Sequence, residues 1–254
     1  LILDAERELS SGGIKYEIDS IINYTYPYEK EKDIAVKVSV SDIKKNIPDN
    51  TDDEAVWAEW TKDEKEEYIP SFIKKEETQY TGAKRGTLYH TFMKHLPVHK
   101  VRDADDVRMF LEKLSDDGVM PQKAVEDNII SIRKIVNFCK SSTGRRMAAA
   151  QEKGLCHNEQ PFVMGLPASE VYPDINSSEF VLVQGIIDVF FEEEDGIVLL
   201  DYKTDRIAPG EEAVLKDRYG IQLECYKKAI EKVYNLPVKD MILYSFALDK
   251  EIYL

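Results

Sequence analysis

Two apolar runs joined by a short acidic turn constrain the fold of this chain more than any other feature of its sequence. The first run covers residues 180–191 and the second covers residues 197–204, and Asp195-Gly196 lies in the turn between them. Asp-Gly between two such runs is typical of a β-hairpin. The sequence therefore predicts two neighbouring antiparallel strands.

Three charged side chains lie inside these predicted strands. If the turn centres on residues 194–195, Asp188 lies directly opposite Asp201, and a shift of one residue makes them near-diagonal neighbours. Because side chains alternate along a strand, Asp201 and Lys203 share a face and Tyr202 takes the other. A carboxylate inside an apolar run is seldom left unpaired, since burying a lone charge is costly. The group can hold a divalent metal and activate a water beside a phosphate; a purely structural ion pair is the alternative.

The bulk properties restrict the class of protein. A chain of 254 residues with 43% hydrophobic residues suits one large domain, or one domain with an appendage, and its start at Leu1 indicates a fragment or a processed chain. No apolar stretch approaches the roughly 18 residues that span a membrane. Scattered cysteines at 139, 156 and 225 indicate a reduced compartment without disulfides. The net charge of −14 argues against a basic surface that coats nucleic acid.

The N-terminal half is predicted to be mainly helical. Residues 36–45 read as a short strand leading into a helix capped by Ser39 or Ser41. Residues 48–68 are acidic and predict a surface insertion, in which Trp57 and Trp60 pack locally. Gly86 is predicted to precede a helix with apolar positions every four residues, and further helices are expected at the positions that follow. These helices cover residues 104–114, 121–139 and 145–151.

From residue 155 onward the pattern changes to strands. Strands are predicted at residues 159–164, 180–191 and 197–204, followed by a long helix at 211–234 and strands at 241–248 and 250–254. Helices, three strands, a helix and a strand in this order indicate a mixed α/β core.

Six short motifs occur in an order that matches a known family. Each motif is weak alone, but six in order make a strong signal. They are Val38-Ser39-Val40-Ser41, Gly86-Thr87-Leu88-Tyr89-His90, Glu159-Gln160-Pro161-Phe162, Gly185-Ile186-Ile187-Asp188, Asp201-Tyr202-Lys203-Thr204-Asp205 and Tyr219-Gly220-Ile221-Gln222-Leu223-Glu224-Cys225-Tyr226.

By these motifs the chain resembles the RecB-type nucleases of the PD-(D/E)XK superfamily, and within that group the C-terminal nuclease domain of AddA in bacterial AddAB (RexAB) helicase–nucleases. The resemblance implies an α/β fold with a restriction-endonuclease-like core, a mixed central sheet flanked by helices, and a helical N-terminal part. It further implies that residues 1–35 are a remnant of the preceding helicase region or linker and that residues 36–254 form the nuclease domain. Tyr24-Thr25-Tyr26-Pro27 resembles the end of that helicase portion.

The resemblance also implies a metal site. Its ligands would be His90, Asp188, Asp201 and the backbone carbonyl of Tyr202. Mg²⁺ suits the oxygen ligands, and a single imidazole also admits Mn²⁺. Lys203 would orient or deprotonate the attacking water and stabilise charge on the phosphate.

Three further residues receive roles near this site. Glu159 would lie close to it on the first strand, acting directly or through a water. Gln222 and Tyr226, four residues apart on one helix, would orient Lys203 or touch the DNA backbone. The structural alternatives are an ordinary helix histidine at position 90, a strand-end acid at Glu159 and a core aromatic residue at Tyr226.

Two absences narrow the subtype. AddB-type relatives hold an iron–sulfur cluster with four cysteines, and the three cysteines here do not follow that arrangement, so no cluster is expected. The sequence also lacks a GxxxxGK[ST] phosphate-binding motif, so ATP hydrolysis is expected to reside outside this chain.

The function implied is metal-dependent exonuclease cleavage of DNA, on the 3′-ended strand, during repair of double-strand breaks by homologous recombination. The implied partners are DNA, a protein of the AddB/RexB type and the helicase region of the same polypeptide, in the bacterial cytoplasm with the nucleoid and without a membrane. One alternative is a catalytically silent module for DNA binding or docking of its protein partner, which would bind no Mn²⁺ through Asp188. Another is a domain that folds alone but needs other domains to build its DNA channel, which the acidic charge favours.

Overall fold

A computed structural model of the chain describes residues 31–32, 34–45, 82–172, 175, 177 and 179–254. The predictions for residues 48–68, for Trp57 and Trp60, and for Tyr24 to Pro27 fall outside these residues. Within them, the strands are β1 (Lys37–Ser39), β2 (Cys156–Pro167), β3 (Phe180–Glu193), β4 (Gly196–Lys203), β5 (Val238–Ser245) and β6 (Lys250–Tyr253). The helices are α1 (Val40–Lys45), α2 (Gly82–His95), α3 (Ala104–Asp116), α4 (Gln122–Glu126), α5 (Ile132–Lys140), α6 (Ser142–Glu152), α7 (Ala168–Val171) and α8 (Glu212–Tyr234), with a 3₁₀ turn at Val98–Lys100.

The chain divides into two compact units. The smaller unit takes the described residues of 1–36 and 166–181, including α7, and in it the Ser177 hydroxyl donates a hydrogen bond of 2.9 Å to Glu31 Oε1. The larger unit comprises the described residues of 37–165 and 182–254 and holds all the predicted site residues.

One mixed sheet forms the frame of the larger unit. Its strands lie in the order β1-β3-β4-β5-β6, with β2 pairing with β3. The β1/β3 and β4/β5 pairs are parallel, whereas β3/β4 and β5/β6 are antiparallel. The mixed sheet predicted from the order of elements is therefore confirmed.

The hairpin of β3 and β4 has the predicted turn. Glu193 pairs with Gly196, so residues 194–195 form the turn, and the pairing continues to Val189 opposite Leu200. Asp188 and Asp201 occupy the next position, just beyond the last pair. The hairpin therefore brings the two acids to the end of the strand pair that lies away from the turn.

Helices cover both faces of the hairpin. The core formed with α2 to α6 contains Val189 and Phe191 of β3 and Val198, Leu200 and Tyr202 of β4. The opposite face meets α8, where the Phe190 and Tyr234 rings lie 5.0 Å apart. Because alternate residues face α8, Asp201 and Lys203 point toward that helix, as the alternation of side chains predicts.

The N-terminal helix begins with a reciprocal cap. The Ser39 backbone N–H and hydroxyl donate to Asp42 Oδ2 at 2.9 and 2.7 Å, and the Asp42 N–H donates to Ser39 Oγ at 3.2 Å. This is a capping box, with the acid at the third helical position. Of the two predicted caps, Ser39 is the one used.

Three predictions for the helical region were wrong in detail. Gly86 lies inside α2 and not before it; a Cβ there would lie 3.3 Å from Thr204 Oγ1, so glycine lets α2 pass close to the end of β4. The helix predicted at 121–139 is broken into α4 and α5, and Asn128 between them has φ of +53°. Residues 145–151 form a separate helix, because Ser141 caps α6 by accepting from Gly144 N.

A charged cluster joins α6 to the turn end of the sheet. The Arg146 guanidinium donates to both Glu193 carboxylate oxygens at 2.9 Å and to Asp240 Oδ2 at 2.6 Å. Lys239 Nζ also lies 2.6 Å from Glu193 Oε2. Hydrogen bonding by Arg146 outweighs burial and lowers the pKa of Glu193 from 4.5 to about 2. One side chain thus links a helix to β3 and β5.

We expect Arg146→Met to lower the free energy of unfolding by about 1–3 kcal/mol at pH 7, because two carboxylates lose a hydrogen-bonded partner. Since the folded pKa of Glu193 is depressed, its contribution is present above pH 4.5 and is lost as the pH falls toward 2. Urea denaturation should therefore show a difference between wild type and variant that shrinks over that range. Arg145→Met, at the exposed neighbouring position, is the matched control. Equal losses in both variants would contradict the account.

Candidate active site

The site begins where β3 and β4 stop pairing. The Tyr202 backbone N–H donates to Asp188 Oδ2 at 3.0 Å, and His90 Nδ1 lies 3.2 Å from the same oxygen. The last strand pair is Val189 with Leu200, so the Tyr202 N–H bonds to a side chain where the ladder ends. The Asp188 carboxylate is thereby fixed between the hairpin and α2, which carries His90.

His90 and Asp188 form an ion pair. Burial lowers the pKa of His90, but the adjacent Asp188 carboxylate outweighs burial and the pKa is raised. Burial raises the pKa of Asp188, but the His90 imidazole, with help from Lys203 and the Tyr202 N–H, leaves it lowered. Each partner therefore favours the charged form of the other.

Asp201 and Lys203 form a second, deeper ion pair. Lys203 Nζ lies 2.7 Å from Asp201 Oδ2, and the Asp201 side chain is only 1% exposed. Burial raises the pKa of Asp201 to about 6 even though Lys203 opposes the shift. The ammonium approaches Oδ2 at ion-pair distance without the alignment of a hydrogen bond, and no other described group donates to that oxygen. Asp201 Oδ2 therefore keeps a lone pair that a cation can use.

Gln222 and Tyr226 lie on the face of α8 that meets Asp201. Gln222 Nε2 lies 3.3 Å from Asp201 Oδ1 and 2.7 Å from Tyr226 Oη, and donates to both. Their shared face is as predicted, but the group they orient is Asp201 and not Lys203. Tyr226 is 1% exposed, so its side chain does not fit the predicted contact with the DNA backbone.

Glu159 lies on β2 and faces α2. Its carboxylate lies 2.5 Å from Lys94 Nζ, four residues after His90 on α2. Its φ of +45° is uncommon for a residue other than glycine. These contacts place Glu159 beside the helix of the site. Its direct role stays a prediction.

Two residues at the site were given no role from the sequence. The Tyr219 ring centroid lies 3.9 Å from Lys203 Nζ. The Tyr219 hydroxyl donates to Asp205 Oδ1 at 2.8 Å, and Arg218 Nη1 donates to the same oxygen at 2.9 Å. Asp205 shares the parity of Asp201 and Lys203, and Tyr219 lies one helical turn before Gln222. These two spacings were the available signals.

The donor types fit a hard divalent cation, although the donors now form two ion pairs. In the part of the chain that the structure describes, no three His, Cys, Asp or Glu side chains are arranged as a metal cluster. Two buried carboxylates, an imidazole and the open lone pair of Asp201 Oδ2 nevertheless suit Mg²⁺ or Mn²⁺. The predicted Tyr202 ligand is its carbonyl, whereas the contact described for that residue is through its N–H.

Comparison with known proteins gives consistent matches. A family model described as the PD-(D/E)XK nuclease superfamily matches residues 47–251. The chain is 34% identical over 253 residues to the AddA-type ATP-dependent helicase/nuclease of Clostridium perfringens (strain SM101), covering 93% of this chain and 19% of that protein. It is 35% identical over 252 residues to the protein of the same name from Clostridium botulinum (strain Loch Maree), covering 96% of this chain and 18% of that protein.

The chain thus spans about a fifth of the length of these relatives. The resemblance inferred from the six motifs is confirmed, as is the fold that it implies. Among the residues that the structure describes, no helix is both long and apolar enough to cross a membrane.

Proposed function

This chain belongs to the PD-(D/E)XK nuclease superfamily, and on that premise we propose that it hydrolyses DNA phosphodiester bonds with a bound divalent metal ion. The observation that carries the proposal is the meeting of the His90–Asp188 and Asp201–Lys203 pairs where the hairpin opens. Four residues that lie far apart in the sequence supply two carboxylates, an imidazole and an ammonium. That set matches the chemistry of phosphodiester hydrolysis.

The metal would be held by His90, Asp188, Asp201 and the carbonyl of Tyr202. When bound, it supplies stabilisation of phosphate charge and a water of lowered pKa. The protein's own part is to hold the carboxylates in place. Tyr202 N–H fixes Asp188, and Gln222 fixes Asp201. Mg²⁺ is the proposed ion, with Mn²⁺ as a substitute.

Lys203 is proposed to stabilise charge on the phosphate and to orient the attacking water. Burial lowers its pKa, but the carboxylates of Asp201 and Asp188 outweigh burial and the pKa is raised. An ammonium that keeps its proton donates hydrogen bonds and cannot act as a base. Of the two roles considered from the sequence, orientation and charge stabilisation are therefore favoured over deprotonation.

The wider role rests on the relatives, which are named as ATP-dependent helicase/nucleases. We propose that this chain is the exonuclease part of a longer ATP-dependent helicase–nuclease, acting on the 3′-ended strand during repair of double-strand breaks. The helicase region of the same polypeptide would deliver DNA to the site, and a protein of the AddB/RexB type would complete a heterodimer. The setting proposed is the bacterial cytoplasm, in association with the nucleoid.

The test is DNA degradation by the full-length protein together with its AddB-type partner. We expect cleavage of linear duplex DNA that requires Mg²⁺, stops with EDTA and returns with added Mg²⁺. Asp201→Asn should lower the cleavage rate at least about 100-fold while ATP hydrolysis continues. Asp217→Asn, at an exposed position on α8, is the matched control and should cleave normally. Cleavage by Asp201→Asn at the wild-type rate, or cleavage without any divalent ion, would refute the proposal.

A further inference from the structure

We infer that Tyr219 and Asp205 act as positioning residues for the Lys203 ammonium, with Tyr219 in contact with it and Asp205 holding Tyr219. This inference rests on the proposed nuclease function, because Lys203 is the group on which both residues act. It adds a second layer to the site that links the end of β4 to α8.

The first step is the position of the ammonium. Lys203 Nζ has the Asp201 carboxylate at 2.7 Å and the centroid of the Tyr219 ring at 3.9 Å. A cation over the face of an aromatic ring is attracted by the ring's quadrupole, most strongly when water is excluded. The Lys203 side chain is 11% exposed, so little water competes. Two contacts of different chemistry therefore restrict a side chain that is otherwise flexible.

The second step is the position of the ring. The Tyr219 hydroxyl donates to Asp205 Oδ1 at 2.8 Å, and this oxygen also accepts from Arg218 Nη1 at 2.9 Å. Asp205 is two residues beyond Lys203 in the chain, whereas Arg218 and Tyr219 are on α8. The carboxylate therefore fixes the ring relative to the strand from which Lys203 extends.

The third step is what these contacts do for the reaction. Tyr219 touches the ammonium through its ring, and Asp205 acts only through Tyr219. An ammonium that stabilises developing charge must be placed accurately, and an error of about 1 Å in such a group can cost about 100-fold in rate. Loss of the ring should therefore lower kcat and leave KM nearly unchanged, because the interaction is made in the transition state.

The experiment measures kcat and KM for DNA cleavage by the full-length protein with its AddB-type partner. We expect Tyr219→Leu to lower kcat by about 10-fold or more, with KM within about twofold of wild type. Tyr219→Phe keeps the ring and should restore most of the rate. Tyr234→Leu is the matched control, since Tyr234 is also on α8 but contacts Phe190 and His157, and it should leave kcat unchanged.

A second measurement tests the role of Asp205. Tyr219→Phe and Asp205→Ala remove the same hydrogen bond, so the double variant should lose no more rate than the worse single variant. This comparison also decides the question if Tyr219→Leu fails to fold. Fully additive losses, or no loss in either single variant, would overturn the inference.

The outcomes separate the two proposals. Wild-type protein without Mg²⁺-dependent cleavage would refute the nuclease function, and with it this inference. Cleavage by wild type that is matched in kcat by Tyr219→Leu, or a Tyr219→Leu defect confined to KM, would overturn the positioning role and leave the nuclease function standing.

Discussion

Replacing Lys203 by methionine is expected to lower the rate of DNA cleavage by about 1,000-fold or more, at unchanged ATP hydrolysis. Methionine keeps most of the apolar length of the side chain but has no charge and no donor. The proposed site then lacks the group that orients the attacking water and stabilises charge on the phosphate. Because the ammonium is 11% exposed and is held by Asp201, no solvent cation can take its place with the same geometry.

Lys203→Met should still fold. Removing the ammonium leaves the Asp201 carboxyl buried, but burial already raises its pKa to about 6, and without Lys203 it can take up a proton and become neutral. Circular dichroism and thermal melting verify the fold. Lys216→Met, at an exposed position on α8, is the matched control for loss of a lysine. If Lys203→Met is folded and cleaves within tenfold of wild type, the role assigned to Lys203 is wrong.

Replacing Gly144 by alanine is expected to cost about 3–5 kcal/mol of stability, the largest structural effect we foresee from a single methyl group. A Cβ at this position would lie 2.0 Å from the Phe138 carbonyl oxygen and 2.9 Å from its carbonyl carbon. Both belong to the backbone of α5, so no side chain can rotate away. The junction of α5 and α6 must open for the methyl group to fit.

The damage at Gly144 should reach the site, because the Phe138 ring packs at 5.5 Å against Tyr202, whose N–H holds Asp188. For a chain of this size the expected fall in Tm is about 10 °C or more, measurable by calorimetry. Gly220→Ala is the matched control: its Cβ would lie 3.6 Å from Leu254, and alanine in that helix should raise stability by up to about 1 kcal/mol. A Gly144→Ala variant that melts with wild type would show that the two helices are not so closely packed.

Local patterns in the sequence predicted the parts of the site that lie near each other in the chain. The turn residues and the alternation of side chains fixed the position of Asp188 relative to Asp201 and the common face of Asp201 and Lys203. Helical spacing placed Gln222 and Tyr226 together. The distant ligand, His90, came from the resemblance to a family and not from periodicity.

Contacts between elements could not be predicted in the same way. Nothing local shows that Asp188 accepts from the Tyr202 N–H, because this requires the strand pair to end at Val189. The close approach of α2 to Thr204 explains Gly86, and the sequence alone suggested a helix start there. The contact of Tyr219 with Lys203 depends on how α8 lies across β4, which side-chain spacing along one helix does not determine.

The most direct test of the proposed metal-dependent nuclease centre is anomalous diffraction from crystals of the full-length protein soaked in Mn²⁺. We predict anomalous density contacted by His90, Asp188 and Asp201, and its loss in Asp188→Asn. Mn²⁺ bound elsewhere, or none at saturating concentration while the His90–Asp188 and Asp201–Lys203 pairs stay as they are, would contradict the account.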